Sequence, residues 1–420
     1  MSLNDVLDSV ITEKNDNNVF ETQARKISCN FDVEDETLGL PNIKILGIGG
    51  AGNNIIDYLG KIRSWPLNVN FWAMNTDRKT LIRLKKNQFN SSLFLIGENE
   101  LKGFGSGGDP VVGKKAFEEN KNDVSEILSD ADIVFIIAGL GKGTGSGVGP
   151  EIAKIAKEKN ILTISIVTLP SVTIEGEKIY EIASESYQEM NQNCDSICAI
   201  SNDKIISNNG ETEFFTQLEK GNKEIGSIIS DFVNIISNAG RINIDFRDLK
   251  SFLKESKYFL HTIINIEKGI QYEALQQKIA SAIDKSYSNW NFSLNEINII
   301  ANFKMNQNTN ASVIIDTRKI LEQYARNPDI KFIYGIEDSI SEEAEVSLFI
   351  SNADQNHQNV PQTTEVISNK VEEYISKEEV EKVHNTKKIT KKLFDLDLFD
   401  DEDEKTNEDI LTKVINEGKN

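Results

Sequence analysis

From Ile43 onward the chain is built of short blocks of consecutive apolar residues, each ending near glycine and followed by residues with helical spacing. A block apolar at every position suits a strand buried on both faces. Alternation of such blocks with helices predicts a parallel α/β sheet. Strands are expected at 43–48, in VNFWAMNTD ending at Asp77, and at 133–138, 161–169 and 197–202. Helices are expected near 52–61, 112–119 and 149–159. From Asn222 to about Ser237, Ile225, Ile228, Ile229, Phe232, Ile235 and Ile236 recur at three- and four-residue steps. That spacing predicts a long amphipathic helix packed along the domain. Asn238-Ala-Gly240 supplies its stop, with glycine able to take the left-handed cap.

After Phe252 the pattern changes. YFLHTIINIE, INIIANFKM, IKFIYGIE and EVSLFISN read as strands, interleaved with helices around 271–288 and 316–326. This mixture predicts a separate, smaller α+β domain ending near Asn352. Residues 1–40 are acidic, with Asp32, Glu34, Asp35 and Glu36 clustered and little apolar periodicity. Residues 353–420 are polar and charged, and a disordered tail is expected there. Within that tail, LFDLDLFDDEDE (393–404) alternates bulky apolar with acidic residues. It reads either as a solvated acidic segment or as a short peptide that orders on a partner surface.

Charge narrows the function. A formal net charge of -20 argues against a general nucleic-acid binder, because neutralising phosphates needs a basic footprint. No run of eighteen or so apolar residues is present to span a bilayer. The N-terminal MSLNDVLDSVITEKNDNN is acidic and polar, unlike a secretory signal, so the cytoplasm is the expected address. Three cysteines, Cys29, Cys194 and Cys198, make no even disulfide framework and suit a reduced compartment. A metal site built on Cys194 and Cys198 would need a histidine, and His261, His357 and His384 are distant in sequence, so no metal ligands are assigned.

Three glycine-rich turns carry the candidate chemistry. Gly47-Ile48-Gly49-Gly50-Ala51-Gly52 follows a strand and opens a helix, where backbone amides and the helix dipole favour a phosphate. Its G-x-G-x-x-G spacing, with Asp77 ending the next strand, also fits a dinucleotide-dependent oxidoreductase. Gly139-Leu-Gly141-Lys-Gly143-Thr144-Gly145-Ser146-Gly147 repeats the strand–turn–helix arrangement. Glycine costs roughly 1 kcal/mol per ordered position relative to alanine, so this density needs a reason beyond packing. A backbone nest for a di- or triphosphate supplies one, with the Thr144 and Ser146 hydroxyls as added donors. That second turn has no role in an oxidoreductase. The third turn, Gly103-Phe-Gly105-Ser-Gly107-Gly108-Asp109-Pro110, reads as a lid over the terminal phosphate or as an ordinary surface turn.

GIGGAGNN, AMNTD, GFGSGGDPVVGKKA, AGLGKGTGSGVGP, VTLP, SNDK and GRINIDFRDLK occur in an order and spacing that resemble the FtsZ family of tubulin-like bacterial division proteins. The resemblance runs over roughly 41–352. It implies an α/β architecture: a Rossmann-like GTPase domain with a parallel sheet (41–220), a central core helix with the catalytic loop (221–250), and the smaller α+β domain (251–352). It also implies GTP or GDP, with Mg2+ accompanying the nucleotide. Gly49, Gly50, Ala51 and Gly52 would back the phosphates with Asn53 nearby, and Asn75, Thr76 and Asp77 would lie below the nucleotide. Gly105, Ser106 and Gly107 would face the γ-phosphate, and Gly141, Lys142, Gly143, Thr144, Gly145 and Ser146 would form the nest. Glu175 would reach the ribose, with Asn202 and Asn222 toward ribose or base. Asn243, Asp245 and Asp248 match the family's N-x-D-x-x-D loop, which acts on the nucleotide of the neighbouring subunit in a head-to-tail polymer. The alternative implied function is a filament protein that binds nucleotide with altered base preference and little hydrolysis. Further implied are a division-site location, a division or membrane-tethering partner for the tail, and no direct membrane insertion.

The chain departs from the family pattern at three positions. Lys142 stands where the family has glycine; if that backbone requires positive φ, lysine would cost about 1 kcal/mol or more. Ile179 stands where the family places an arginine. Lys223 aligns with the aspartate that reads guanine, and an ammonium cannot accept the guanine N–H groups. A shifted helix register, or another acceptor such as Glu224 or Asn222, would restore the contact.

Overall fold

Six apolar runs pair as parallel strands: β1 (Ile43–Ile48), β2 (Val69–Asn75), β3 (Ser92–Leu95), β4 (Ile133–Gly139), β5 (Leu162–Leu169) and β6 (Ser196–Ser201). The molecule is known from a computed structural model, which describes residues 39–62, 65–86, 91–208, 214–237, 246–255, 257–284, 297–305, 308–324, 329–336 and 343–352. The strand order is β3-β2-β1-β4-β5-β6. The chain thus moves outward from β1 to β3, then returns to lay β4 against the other side of β1. Such a reversal opens a crevice at the carboxyl ends of the two central strands.

Helices cover both faces of the sheet. In order they are α1 (Gly49–Ile62), α2 (Arg78–Lys86), α3 (Glu98–Leu101), α4 (Pro110–Glu118), α5 (Lys121–Ile127), α6 (Gly143–Glu158), α7 (Val172–Glu175), α8 (Glu177–Asn193), α9 (Asn202–Asn208), α10 (Phe214–Ser237) and α11 (Phe246–Glu255). Alternate strand residues face opposite ways. Ile133, Phe135 and Ile137 join one core with Ile55, Ile56 and Leu59 of α1 and the apolar stripe of α10. Val134, Ile136 and Ala138 join the other with Val148, Ile152 and Ala156 of α6 and Tyr187 and Met190 of α8. The helices that follow the two central strands therefore lie on opposite faces.

Helix α6 begins at Gly143, well before the 149 expected from its apolar spacing. Close backbone packing outweighs glycine's poor helix propensity there. A Cβ on Gly145 would stand 2.1 Å from the Gly139 carbonyl oxygen, and one on Gly147 would stand 2.3 Å from that of Pro110.

The second sheet has the order β7 (Phe259–Ile266), β10 (Ala344–Asn352), β8 (Ile297–Met305), β9 (Asp329–Ile336). β10 runs antiparallel to both neighbours, whereas β8 and β9 are parallel. Helices α12 (Tyr272–Asp284) and α13 (Ala311–Tyr324) accompany it. Its remaining apolar face forms a third core with Leu275, Ile279, Ile320 and Leu321.

The long helix α10 serves both sheets. Phe232 lies 5.7 Å from Phe135 in the first sheet, and 5.4 Å and 4.3 Å from Phe259 and Phe349 in the second. One residue away, Asp231 reaches His261 Nε2 at 2.9 Å and Lys304 Nζ at 2.9 Å. His261 Nδ1 faces Glu224 at 3.6 Å, and Lys304 also pairs with Glu345 at 2.6 Å. Burial alone would push His261 toward the neutral form. The hydrogen bond to Asp231 and the two nearby carboxylates outweigh it, raising the group from 6.5 to about 9. Burial would likewise raise Asp231, but His261 and Lys304 prevail and lower it to about 2.

The linkage has a definite sign. A raised histidine contributes stability fully below pH 6.5 and loses it as pH climbs through about 9. The melting temperature is therefore expected to fall across that window, and His261→Gln should flatten the fall. Asp231→Ala, which strands buried positive charge, should cost about 3–5 kcal/mol in denaturant unfolding.

Candidate functional site

At the carboxyl ends of β1 and β4 the chain turns through glycine twice, and the two turns meet. A Cβ on Gly49 would stand 3.1 Å from the amide nitrogen of Gly145, and one on Gly139 would stand 2.7 Å from the Ala51 methyl. Gly49 at φ +72° and Gly141 at φ +103° adopt backbone that L side chains rarely enter. The 103–109 turn closes in from the side. Thr144 Oγ1 lies 2.7 Å from Thr76 Oγ1 and 3.5 Å from Ser106 Oγ. Ser106 Oγ also occupies the place a Cβ on Gly143 would take, 2.0 Å away.

The start of α6 sets the electrostatics. Its N-cap, Lys142, makes no side-chain capping bond, and the first-turn amides of a helix have no intrahelical acceptor. Helix α4 differs: Asp109 caps it, its carboxylate accepting from the Val111 amide at 2.8 Å. An uncapped 16-residue helix opening at the sheet's switch point attracts an anion. Gly50, Ala51, Gly107 and Lys142 are exposed around this opening, with Gly105, Ser106, Gly143, Thr144 and Gly145 between them.

Several expected contacts are instead engaged inside the protein. Asn53 is fully buried; its Nδ2 donates to the Gly47 and Met74 carbonyls at 2.7 Å and 3.2 Å. Its Oδ1 accepts from Asn75 Nδ2 at 2.7 Å, and Asn75 Oδ1 accepts from the Asp77 amide at 3.0 Å. The Asp77 carboxylate accepts from the Lys79 amide and the Thr80 hydroxyl, capping α2. Gly52 packs against β4, where a Cβ would stand 2.4 Å from the Ile137 carbonyl oxygen. Ser146 Oγ accepts from the Gly141 amide at 2.8 Å and fixes that turn. These groups hold the crevice in shape.

Beside the second turn, Glu175 accepts from the Ser171 amide at 3.3 Å and pairs with Lys142 Nζ at 3.0 Å. Asp203, which lies in the SNDK motif but was assigned no role from sequence, holds this segment by accepting from the Ser171 hydroxyl and the Val172 amide. Lys142 itself has φ −125° and ψ 174°, so the backbone cost considered for lysine there does not arise. Ile179 covers Gly141, with Cγ2 2.7 Å from where a Cβ would be. Gly221 of α10 approaches Ile205 of α9, so Asn202 and Asn222 sit on touching helices. Glu224 faces His261 Nδ1 at 3.6 Å, and its neighbour Lys223 is exposed.

Asp248 is exposed in the first turn of α11, and no hydrogen bond or ion pair joins it to the glycine turns among the described residues. Asn243 and Asp245 lie outside the described residues. Among those described, no three histidine, cysteine or carboxylate groups are gathered to hold a metal. Burial raises the Cys194 thiol to about 12 and raises Cys198 as well, so neither offers a thiolate. No described helix is long and apolar enough to cross a membrane.

Residues 42–210 match the Tubulin/FtsZ family, GTPase domain. This part of the chain is thus similar to the GTPase domains of the Tubulin/FtsZ family. The cell division protein FtsZ of Buchnera aphidicola subsp. Baizongia pistaciae is 35% identical over 217 residues, 51% of this chain and 54% of that protein. The chain thus spans about half the length of the curated relatives it matches. An FtsZ from M. jannaschii, solved as an empty dimer, shares the fold with TM-score 0.64 at 24% identity, over 74% of this chain and 88% of that one. CetZ2 from Haloferax volcanii, solved as a GTPγS-bound protofilament, does so with TM-score 0.60 at 16% identity, over 82% and 99%.

Two glycines separate packing from exposure. Gly145→Ala drives a methyl into the Gly139 carbonyl and should destabilise the fold by about 1–3 kcal/mol. Gly50→Ala meets nothing within 4 Å and should melt with the wild type in a thermal scan.

Proposed function

We propose that the chain is a GTP-binding and GTP-hydrolysing subunit of a head-to-tail filament that serves bacterial cell division. The uncapped start of α6, framed by three glycine turns within a region that matches the Tubulin/FtsZ family, carries this reading. Backbone amides around Gly49–Ala51, Gly105–Gly107 and Gly143–Gly145 hold the phosphates, with the Thr144 and Ser106 hydroxyls as further donors. Glu175 accepts from the ribose, and Asn202 and Asn222 face ribose or base. Mg2+ would be held chiefly by the phosphates. Asp77 and Asp109 already cap helices, so no step here uses a protein-held metal.

Hydrolysis is completed by the next subunit. Asn243, Asp245 and Asp248 of one molecule meet the terminal phosphate on its neighbour, where the carboxylates orient the attacking water. Two different surfaces make this contact, so it repeats into an open filament. The dimer and protofilament seen for the FtsZ and CetZ2 structures of the same fold support self-association. The subunit works in the cytoplasm at the division site. Residues 393–404, outside the described residues, dock on a division or membrane-tethering partner, which makes any membrane attachment indirect.

Ile179 and Lys223 favour a second reading, a filament with altered base preference and little hydrolysis. Negligible phosphate release from filaments visible by electron microscopy would select it. For the first reading, GTP turnover per subunit should rise with protein concentration, and a flat rate contradicts it. Asp245→Ala and Asp248→Ala should each lower turnover by about 100-fold or more while leaving GDP affinity within a few-fold.

A further inference from the structure

Lys142 is the one lysine or arginine within the turn segments themselves, while Arg78 of α2 packs against Gly103 from outside and pairs with Glu98. Gly47–Asn53, Gly103–Asp109, Gly139–Gly147 and Ser171–Gly176 contain no other lysine or arginine. Its ammonium lies 3.0 Å from Glu175 Oε1, with the lysine side chain 66% exposed and the glutamate 25%. The two ends of this pair are not equally fixed. Glu175 accepts from the Ser171 amide through its other oxygen, and Asp203 anchors Ser171 and Val172 in turn. Lys142 has a flexible four-carbon stem, an extended backbone and no capping bond. The ammonium is the end that can move.

An exposed ion pair of this kind is weak, because water and salt screen it. A di- or triphosphate at the start of α6 carries several negative charges and out-competes one carboxylate for the ammonium. We propose that Lys142 and Glu175 exchange partners when a nucleoside di- or triphosphate binds: the ammonium moves to the phosphates and the freed carboxylate takes the ribose hydroxyls. The exchange rests on the nucleotide reading above and deepens it. It couples the two ends of the ligand. A nucleoside without phosphates meets a carboxylate already occupied, and a polyphosphate without ribose hydroxyls leaves the carboxylate without a partner. Lys142 thereby selects ribonucleoside polyphosphates over their fragments.

The test is calorimetric titration of the full chain, as wild type, Lys142→Met and Glu175→Gln, with GDP, 2′,3′-dideoxy-GDP and guanosine. Lys142→Met should weaken GDP about tenfold or more, as loss of a charge-assisted hydrogen bond does, and leave guanosine equal or tighter. Glu175→Gln should tighten dideoxy-GDP, since no carboxylate competes for the ammonium. If Lys142→Met weakens guanosine as much as GDP, or Glu175→Gln weakens dideoxy-GDP, the pair is a fixed brace and the exchange is wrong. Wild-type protein that binds GDP together with an unimpaired Lys142→Met sinks the exchange alone. Wild-type protein that binds none of the three, and does not bind ADP either, sinks the nucleotide reading with it. Both substitutions are at solvent-accessible side chains, and matching thermal melts show that the variants fold.

Discussion

The backbone after β1 and the first turn of α6 approach so closely that a Cβ on Gly49 would meet the Gly145 amide nitrogen at 3.1 Å and the Thr144 Cβ at 3.3 Å. Everything at the crevice follows from that approach. It brings two turns from opposite faces of the sheet to one point and leaves the first amides of α6 without a cap. It also aligns Thr76, Ser106 and Thr144 so that their hydroxyls meet. The fold places this opening where the strand order reverses, which is where open α/β sheets admit ligands. A layer of buried amides, Asn53 against Asn75, holds the strand ends that support it.

The same molecule joins its two sheets through one helix. Phe232 supplies apolar contact to both, and Asp231 beside it gathers His261 and Lys304 from the second sheet. Replacing such a cluster with apolar residues is often neutral, whereas removing one member is costly. That asymmetry makes it a positional constraint on how α10 meets β7, β8 and β10. Asp248 of the segment proposed above lies in α11, the next described helix after α10.

Much of this was legible in the residues, for physical reasons that also explain the failures. β1, β4 and β5 lie within a residue of their expected positions because strands buried on both faces are apolar throughout. β3 went unread: it is four residues long and half-exposed, so it carries no such run. Helix α8 was missed because Ala183, Ser186, Tyr187 and Met190 alone are buried, a thin stripe among polar residues. The start of α6 reads as loop from propensity, and only contact with Gly139 and Pro110 makes it helix. The glycine turns were visible as a chemical device. The division of labour within them was not, because the partners of Asn53, Asp77 and Glu175 are set by how distant strands align. SNDK marks the position of Asp203 but not its role, which comes from β5 and β6 being neighbours.

Amide hydrogen exchange with and without GTP, followed by mass spectrometry, tests the central claim most directly because it reports where the ligand sits. Bound phosphates should slow exchange at Gly49–Asn53, Gly105–Asp109 and Gly143–Ser146 together. Saturating nucleotide that leaves those three segments unchanged, or that protects some other surface instead, would contradict the account.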